Sequence, residues 1–260
     1  VGKLPKTISK TNTKRKTKNM IDFKTSINLK TNYQSAKPFP YIVIDNFLPE
    51  FVLRKSKEEI VNHDLWYSDE VEWTQEFQQN KFYYPNHNVD MNEFKSKLPI
   101  TYMLIDYFNS EEFLSFLKNL TGINGLYRDP YLIGGGIHKI KTGGKLSVHF
   151  DYNEHPGLLI RRKLNLLIYL NENWKSEWGG NLELWSLDLK NKEVEIEPVF
   201  NRAVFFDIEN APHGHPIPLN TPPDVDRYSL ALYFFTDESV PQENKRPVIF
   251  FRDDEIGKQQ

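Results

Sequence analysis

His149 and Asp151 stand two residues apart in Val148-His149-Phe150-Asp151. On a strand, residues i and i+2 share a face, so both side chains can point into one site while Phe150 points away. A second source of imidazole is Pro212-His213-Gly214-His215-Pro216, just after the apolar run Phe205-Phe206-Asp207. Two neutral imidazoles and one carboxylate form the facial set that holds non-haem Fe(II), leaving three coordination positions open. With a single carboxylate the loaded site stays net positive, which favours an anionic chelator. His213 and His215 are both candidates for the third ligand, being two apart themselves. Arg227, in Arg227-Tyr228-Ser229, opens the last long apolar segment. A guanidinium there clamps a carboxylate fork to fork, with the Ser229 hydroxyl as helper. Tyr169, inside Leu167-Ile168-Tyr169-Leu170, can offer its phenol to the same group. A lone H-x-D pair is more often structural than metal-binding, and so is a lone histidine. Their order along one region rich in short strands is what favours a metal site.

The elements that must position these residues are strands. From residue 131 onward, apolar segments recur at 132–140, 146–150, 164–170, 181–187, 194–197, 203–207 and 228–235. Turn residues separate them, including Gly143-Gly144, Gly179-Gly180 and Asn201-Arg202. Short strands at such spacing predict a sandwich, jelly roll or barrel. Upstream, 41–44 reads as a strand, Pro49 as the start of a helix reaching about residue 63, and 98–108 and 111–120 as helices, the last stopping at Thr121-Gly122. The aromatic stretch 64–90 reads as strands and loops covering something. The aromatic run Tyr233-Phe234-Phe235 reads as core, His138 as a core or pocket residue and His155 as a loop residue. The fold class expected is mainly β with flanking helices (α+β), around a jelly-roll core. Residues 1–36 are expected to be a basic, disordered tail, 37–252 one domain (37–130 support, 131–236 β core), and 253–260 a second tail.

Composition narrows the chemistry. The 260 residues include no cysteine, which removes disulfides, zinc–thiolate sites and cysteine nucleophiles. Any metal must be held by His, Asp or Glu. Residues 1–30 carry nine of the 33 Lys/Arg and one of the 35 Asp/Glu, leaving an acidic body. Such a tail is too poor in apolar residues to order itself. Its run Lys14-Arg15-Lys16-Thr17-Lys18 is open to a nuclear-localisation or nucleic-acid reading. A solubilising tail is the favoured reading, and the acidic body argues against nucleic acid as the main partner. No run is long enough to span a bilayer and no apolar leader is seen, so the expected location is cytoplasmic, with a nuclear one open, and not secreted.

Four stretches together resemble a known family. They are Gly144-Lys145-Leu146-Ser147-Val148-His149-Phe150-Asp151, Leu167-Ile168-Tyr169-Leu170-Asn171-Glu172-Asn173-Trp174, Trp178-Gly179-Gly180-Asn181-Leu182-Glu183-Leu184-Trp185 and His213-Gly214-His215-Pro216. They resemble the prolyl 4-hydroxylase-like branch of the Fe(II)/2-oxoglutarate oxygenases, in detail over residues 130–236. The entry segment Pro38-Phe39-Pro40-Tyr41-Ile42-Val43-Ile44-Asp45-Asn46-Phe47-Leu48 resembles the same group. The resemblance implies a double-stranded β-helix, with Fe(II) on His149, Asp151 and His213. It implies that Arg227, Ser229 and Tyr169 bind 2-oxoglutarate, and that His213 rather than His215 is the third ligand. Gly179-Gly180 matches a tight turn of structural importance. The implied reaction hydroxylates an unactivated C–H bond with O2, supported by ascorbate. The implied substrate is a prolyl or other residue of a peptide or protein; the alternatives are a small molecule such as a free amino acid, and a non-catalytic jelly-roll binding module whose histidines are structural. Where several prolyl hydroxylases carry a tyrosine on the strand before H-x-D, this chain reads His138-Lys139-Ile140-Lys141.

Overall fold

The computed structural model describes residues 27–68, 74–86 and 88–257. The basic run 14–18 therefore lies outside the described residues, as do 1–26 as a whole. Order starts earlier than the sequence suggested: Ile27–Ser35 is a helix (α1), pinned by Tyr33, which is buried in the core. One aromatic anchor outweighs an otherwise polar stretch. The remaining elements in chain order are β1 (Tyr41–Ile44), α2 (Glu50–Val61), β2 (Gln78–Tyr84), α3 (Met91–Lys97), α4 (Pro99–Phe108) and α5 (Glu111–Thr121). The β-rich half adds β3 (Leu126–Arg128), β4 (Gly136–Phe150), β5 (Arg161–Tyr169), β6 (Leu182–Trp185), β7 (Lys192–Ile196), β8 (Ala203–Asp207), β9 (His213–His215), β10 (Arg227–Thr236) and β11 (Ile249–Phe250).

The helix boundaries follow local chemistry. Ser110 caps α5 by accepting from the Phe113 amide at 3.2 Å, and Gly122 ends it in the left-handed region at φ 82°. Asp90 caps α3, a helix the sequence reading did not separate from the aromatic stretch before it. Pro99 opens α4. The Glu59 carboxylate, projecting from α2, accepts from the Ile100 and Thr101 amides at 2.8 and 2.9 Å, locking α2 to the start of α4.

All strands among the described residues belong to one antiparallel sheet that curls on itself, in the order β1-β8-β5-β10-β4-β9-β6-β7. Alternation sorts its side chains. Leu164, Leu166 and Ile168 of β5 and Phe205 of β8 join the larger core, shared with Leu53, Leu104, Phe108, Phe113 and Leu117 of the helices. Tyr169, Val204 and Phe206 point the other way, into a second core with Leu182, Leu184 and Ile208. The helices thus back one face, and the curled face is left to line a site.

One sequence expectation changes in β4. Gly143-Gly144 is not a turn between two strands: one strand runs from Gly136 to Phe150. Opposite it, β2 pairs Gln79 with Lys145 and Lys81 with Ile140, so the glycines lie in a wide bulge facing Asn80. Gly144 is required by space, since a Cβ there would lie 2.7 Å from the Lys141 carbonyl and 2.9 Å from that of Gln79. The proline-rich segment 216–223 closes against this bulge, through Gly143 N to Leu219 O at 2.8 Å and Leu219 N to Gly144 O at 2.9 Å. His155 lies in the loop between β4 and β5, as expected, but does not face solvent. It is fully buried, its Nδ1 accepts from the Gly157 and Leu158 amides, and its Nε2 faces Asp129 at 3.4 Å.

Candidate active site

β4 ends at Phe150, so Asp151 is the first residue past the strand, yet it still reaches the face His149 uses. β9 pairs with β4 in a register that sets His213 directly opposite His149. This places two imidazoles side by side, ring centroids 4.4 Å apart. Their Nε2 atoms lie 3.6 Å (His149) and 3.7 Å (His213) from the two Asp151 carboxylate oxygens. One ligand atom from each of the three residues falls within 4.8 Å of the others, the one such cluster of three or more among the described residues. His215 is not part of it.

The donor set fits a divalent metal. His149 Nδ1 lies 2.9 Å from the Ser147 carbonyl and His213 Nδ1 lies 2.8 Å from the Ala211 carbonyl. A carbonyl only accepts, so each Nδ1 carries the proton and each Nε2 presents its lone pair to the cluster. Burial pushes the His213 imidazole down to about 4, keeping it neutral and ready to ligate. Burial alone would raise the Asp151 carboxyl, but the Arg162 guanidinium and the two imidazoles outweigh it and hold the group well below the ordinary 3.8.

Asp151 is braced by residues that sequence reasoning missed. Its Oδ2 accepts from Arg162 Nη2 at 2.9 Å and from Asn165 Nδ2 at 2.8 Å, and Arg162 also donates twice to Asn165 Oδ1. Arg162 is 1 % exposed and stacks on Tyr233, its guanidinium carbon 3.4 Å from the ring centroid. Tyr233 is accordingly a cavity-wall residue, while Phe234 and Phe235 are core as expected. Strict alternation along Arg161-Arg162-Lys163-Leu164-Asn165 would put Arg162 and Asn165 on opposite faces. The pairing slips here: β10 sets Phe234 against Leu164 but Phe235 against Arg162. The extra residue, Lys163, turns Arg162 onto the face of Asn165. Removing Arg162 leaves the buried Asp151 carboxylate without the guanidinium paired to it. R162M is therefore expected to cost about 3–5 kcal/mol, read as lost stability of the metal-free protein in urea unfolding. A change below about 1 kcal/mol would show that this pair does not brace the site.

The three residues sit in a cavity of about 560 Å³. Arg227 lies further along its wall, 4 % exposed, donating Nε to the Gly180 carbonyl at 2.9 Å and lying over the Tyr169 ring at 5.0 Å. Gly180 suits glycine twice over: its φ of 70° is left-handed, and a Cβ would lie 2.5 Å from Leu219 Cδ2, with Arg227 Cδ next at 3.1 Å. Ser229 shares the Arg227 face two residues on, and His138 is its cross-strand neighbour on β4. The Tyr169 phenol oxygen is fully buried against the Arg227 guanidinium and makes no hydrogen bond of ordinary geometry among the described residues. Among the described residues lining the cavity, Lys81, Arg162 and Arg227 carry positive charge and Asp151 is the one acid. A buried phenol beside a buried guanidinium is a pair of donors that suits a carboxylate. His138 lines the same wall, its Nε2 3.1 Å from the Gly134 carbonyl, and burial drives its pKa down to about 3.

The C-terminal segment completes the wall. β11 pairs with the end of β4, Phe250 against His149, and the Phe250 ring packs 5.4 Å from the His149 ring. Arg246 donates Nε to the Asp151 carbonyl at 3.1 Å. The sequence reading ended the β core at residue 236 and saw no strand here. Two residues of strand give no alternation to read.

Comparison with known proteins agrees with this geometry. Residues 135–235 match the family model described as the 2OG-Fe(II) oxygenase superfamily. No curated protein matches the chain significantly. Among solved structures, a prolyl 4-hydroxylase from Phytophthora capsici is 21 % identical with a TM-score of 0.53, covering 84 % of this chain and 69 % of its own. A prolyl hydroxylase from Trichoplax adhaerens, in complex with a hypoxia inducible factor oxygen degradation domain peptide fragment, is 21 % identical with a TM-score of 0.51, covering 80 % and 88 %. HygX from Streptomyces hygroscopicus, with nickel, 2-oxoglutarate and hygromycin B bound, is 13 % identical with a TM-score of 0.51, covering 82 % and 92 %. These share the double-stranded β-helix fold. Residues 135–235 are thus similar to the 2OG-Fe(II) oxygenase superfamily, and the chain shares the double-stranded β-helix fold of these solved oxygenases.

Proposed function

We propose that the protein hydroxylates a prolyl, or other, side chain of a peptide or protein, with Fe(II) on His149, Asp151 and His213. When bound, the iron supplies the redox chemistry that converts 2-oxoglutarate and O2 to succinate and CO2 while one oxygen atom enters a C–H bond of the substrate. The chain's own residues bind and orient. Arg162 and Asn165 fix the Asp151 carboxylate, and the Ser147 and Ala211 carbonyls fix the imidazole tautomers. Arg227 takes the far carboxylate of 2-oxoglutarate, assisted by the Tyr169 phenol and the Ser229 hydroxyl. Ascorbate supports turnover by keeping iron reduced. The carrying observation is the three-residue cluster on the cavity wall with both Nε2 atoms turned inward.

An extended substrate is supported by a second hollow. A groove of about 470 Å³ shares Lys81, Gly134 and His138 with the iron cavity and continues past Tyr83, Pro85 and Leu132. A chain entering the cavity would have room to run on along it. A small-molecule substrate is the second reading, favoured by the likeness to HygX, whose structure holds hygromycin B. The lack of cysteine and the basic run 14–18 favour the cytoplasm or nucleus as the setting. Among the described residues no helix is long and apolar enough to cross a membrane.

To separate the substrates, the protein is incubated with Fe(II), ascorbate, 2-oxoglutarate, O2 and a panel of proline-containing peptides. A peptide that gains one oxygen atom by mass spectrometry, with succinate formed in equal amount, is the expected result. Succinate stimulated only by small molecules, with every peptide unchanged, would overturn the peptide reading in favour of the second.

A further inference from the structure

His215 has a place in the cavity that the metal cluster leaves unexplained. It is 4 % exposed, and neither ring nitrogen has a hydrogen-bond partner among the described residues. Leaving two such atoms unpaired in a folded interior costs free energy unless a ligand or water completes them. On β9 it lies two residues past His213, on the same face, a step of roughly 6–7 Å along the strand. Its opposite number on β4 is Leu146, whereas that of His213 is His149. The charged groups within electrostatic reach are Arg227 first, then Lys81 and the metal-ligand candidate His149. The ring therefore shares the cavity wall with both the metal cluster and the guanidinium.

The ring also borders a second, small cavity of about 20 Å³, beside Gly180, Asn181 and Glu183. That is room for a single water, enough for one ring nitrogen and not for both. Asn181 Oδ1, likewise buried without a partner, offers that water an acceptor. The other nitrogen is left to the main cavity, whose wall His215 also forms. With two cations close by, the group that suits it is an anion.

We propose that His215 is a co-substrate-binding residue, its imidazole donating one hydrogen bond to the carboxylate of 2-oxoglutarate that Arg227 holds. This rests on the reading of Arg227 as the carboxylate clamp. A donor lost from a charged acceptor in a buried site weakens binding about tenfold or more.

The test titrates 2-oxoglutarate into the Fe(II)-loaded, oxygen-free protein by calorimetry, so that no turnover is involved. The control ligand is 2-oxovalerate, the same five-carbon 2-oxoacid without the far carboxylate. His215→Leu is expected to raise the Kd for 2-oxoglutarate about tenfold or more while moving that for 2-oxovalerate less than about twofold. Fe(II) affinity should stay at the wild-type level. His215→Asn and His215→Gln each keep a donor near one ring nitrogen, and one of them should restore affinity to within about threefold. These two polar variants keep the test open if the leucine variant does not fold. Equal affinity of His215→Leu and wild type for 2-oxoglutarate would overturn the proposal, as would equal loss for both ligands. Lost Fe(II) affinity would make His215 a metal ligand instead. A wild-type protein that binds neither ligand, with Arg227→Ala unchanged from it, would instead bring down the clamp itself.

Discussion

Asp151→Ala is expected to abolish iron-dependent turnover, because it removes the one anionic ligand of the cluster. The two imidazoles that remain are neutral, so the site loses both a coordination bond and the charge that holds a hard cation. The same substitution strands Arg162, which is 1 % exposed and donates to Asp151 at 2.9 Å. An uncompensated buried charge of this kind costs about 3–5 kcal/mol, so loss of activity alone would be ambiguous. Asp151→Asn separates the two effects. It keeps an oxygen for Arg162 to donate to and gives up the charge toward iron. Its urea midpoint should fall closer to wild type than that of Asp151→Ala, while Fe(II) titration should show both variants failing to bind. If either variant retained wild-type Fe(II) affinity, the ligand assignment would be wrong.

Arg227→Ala should act on the co-substrate and leave the metal alone. The guanidinium is 4 % exposed, lies over Tyr169, donates Nε to Gly180 and belongs to the cavity wall. Truncating one side of a buried, hydrogen-bonded charge pair costs roughly 2–5 kcal/mol, so the Kd for 2-oxoglutarate should rise at least about 30-fold. Arg227→Lys should recover only part of this, since an ammonium cannot make the forked contact and would lose its Gly180 bond. Calorimetric titration of the Fe(II)-loaded, oxygen-free protein reads both. Unchanged 2-oxoglutarate affinity in Arg227→Ala would place the clamp elsewhere in the cavity.

The residues of the proposed metal site were the easiest to single out in the sequence. His149, Asp151 and His213 are set by a strand pair, and Arg227 by the start of β10, so spacing and order expose them. What supports them was hidden by departures from regular alternation. Arg162 looks like one of three solvated basic residues, and only the slipped register at Lys163 turns it under Asp151. β9 is three residues long and centred on Gly214, so its pattern is too short to show a strand. Gly143-Gly144 has the signature of a turn and forms a bulge instead, because β2 continues alongside on both sides of it. Tyr33 ordered a helix in a stretch whose composition argued for none. β11 and Arg246 reach the site from the far end of the chain, which no local pattern reports. Local periodicity identifies what lines a face; contacts between distant segments decide what holds it in place.

The most direct test of the central claim is succinate formation, followed by NMR, from 2-oxoglutarate, O2 and ascorbate with the purified protein. Wild type with added Fe(II) should form succinate, wild type without iron should form none, and Asp151→Ala should form none under either condition. Succinate from Asp151→Ala, or an iron-loaded wild type that neither binds nor consumes 2-oxoglutarate, would contradict the account.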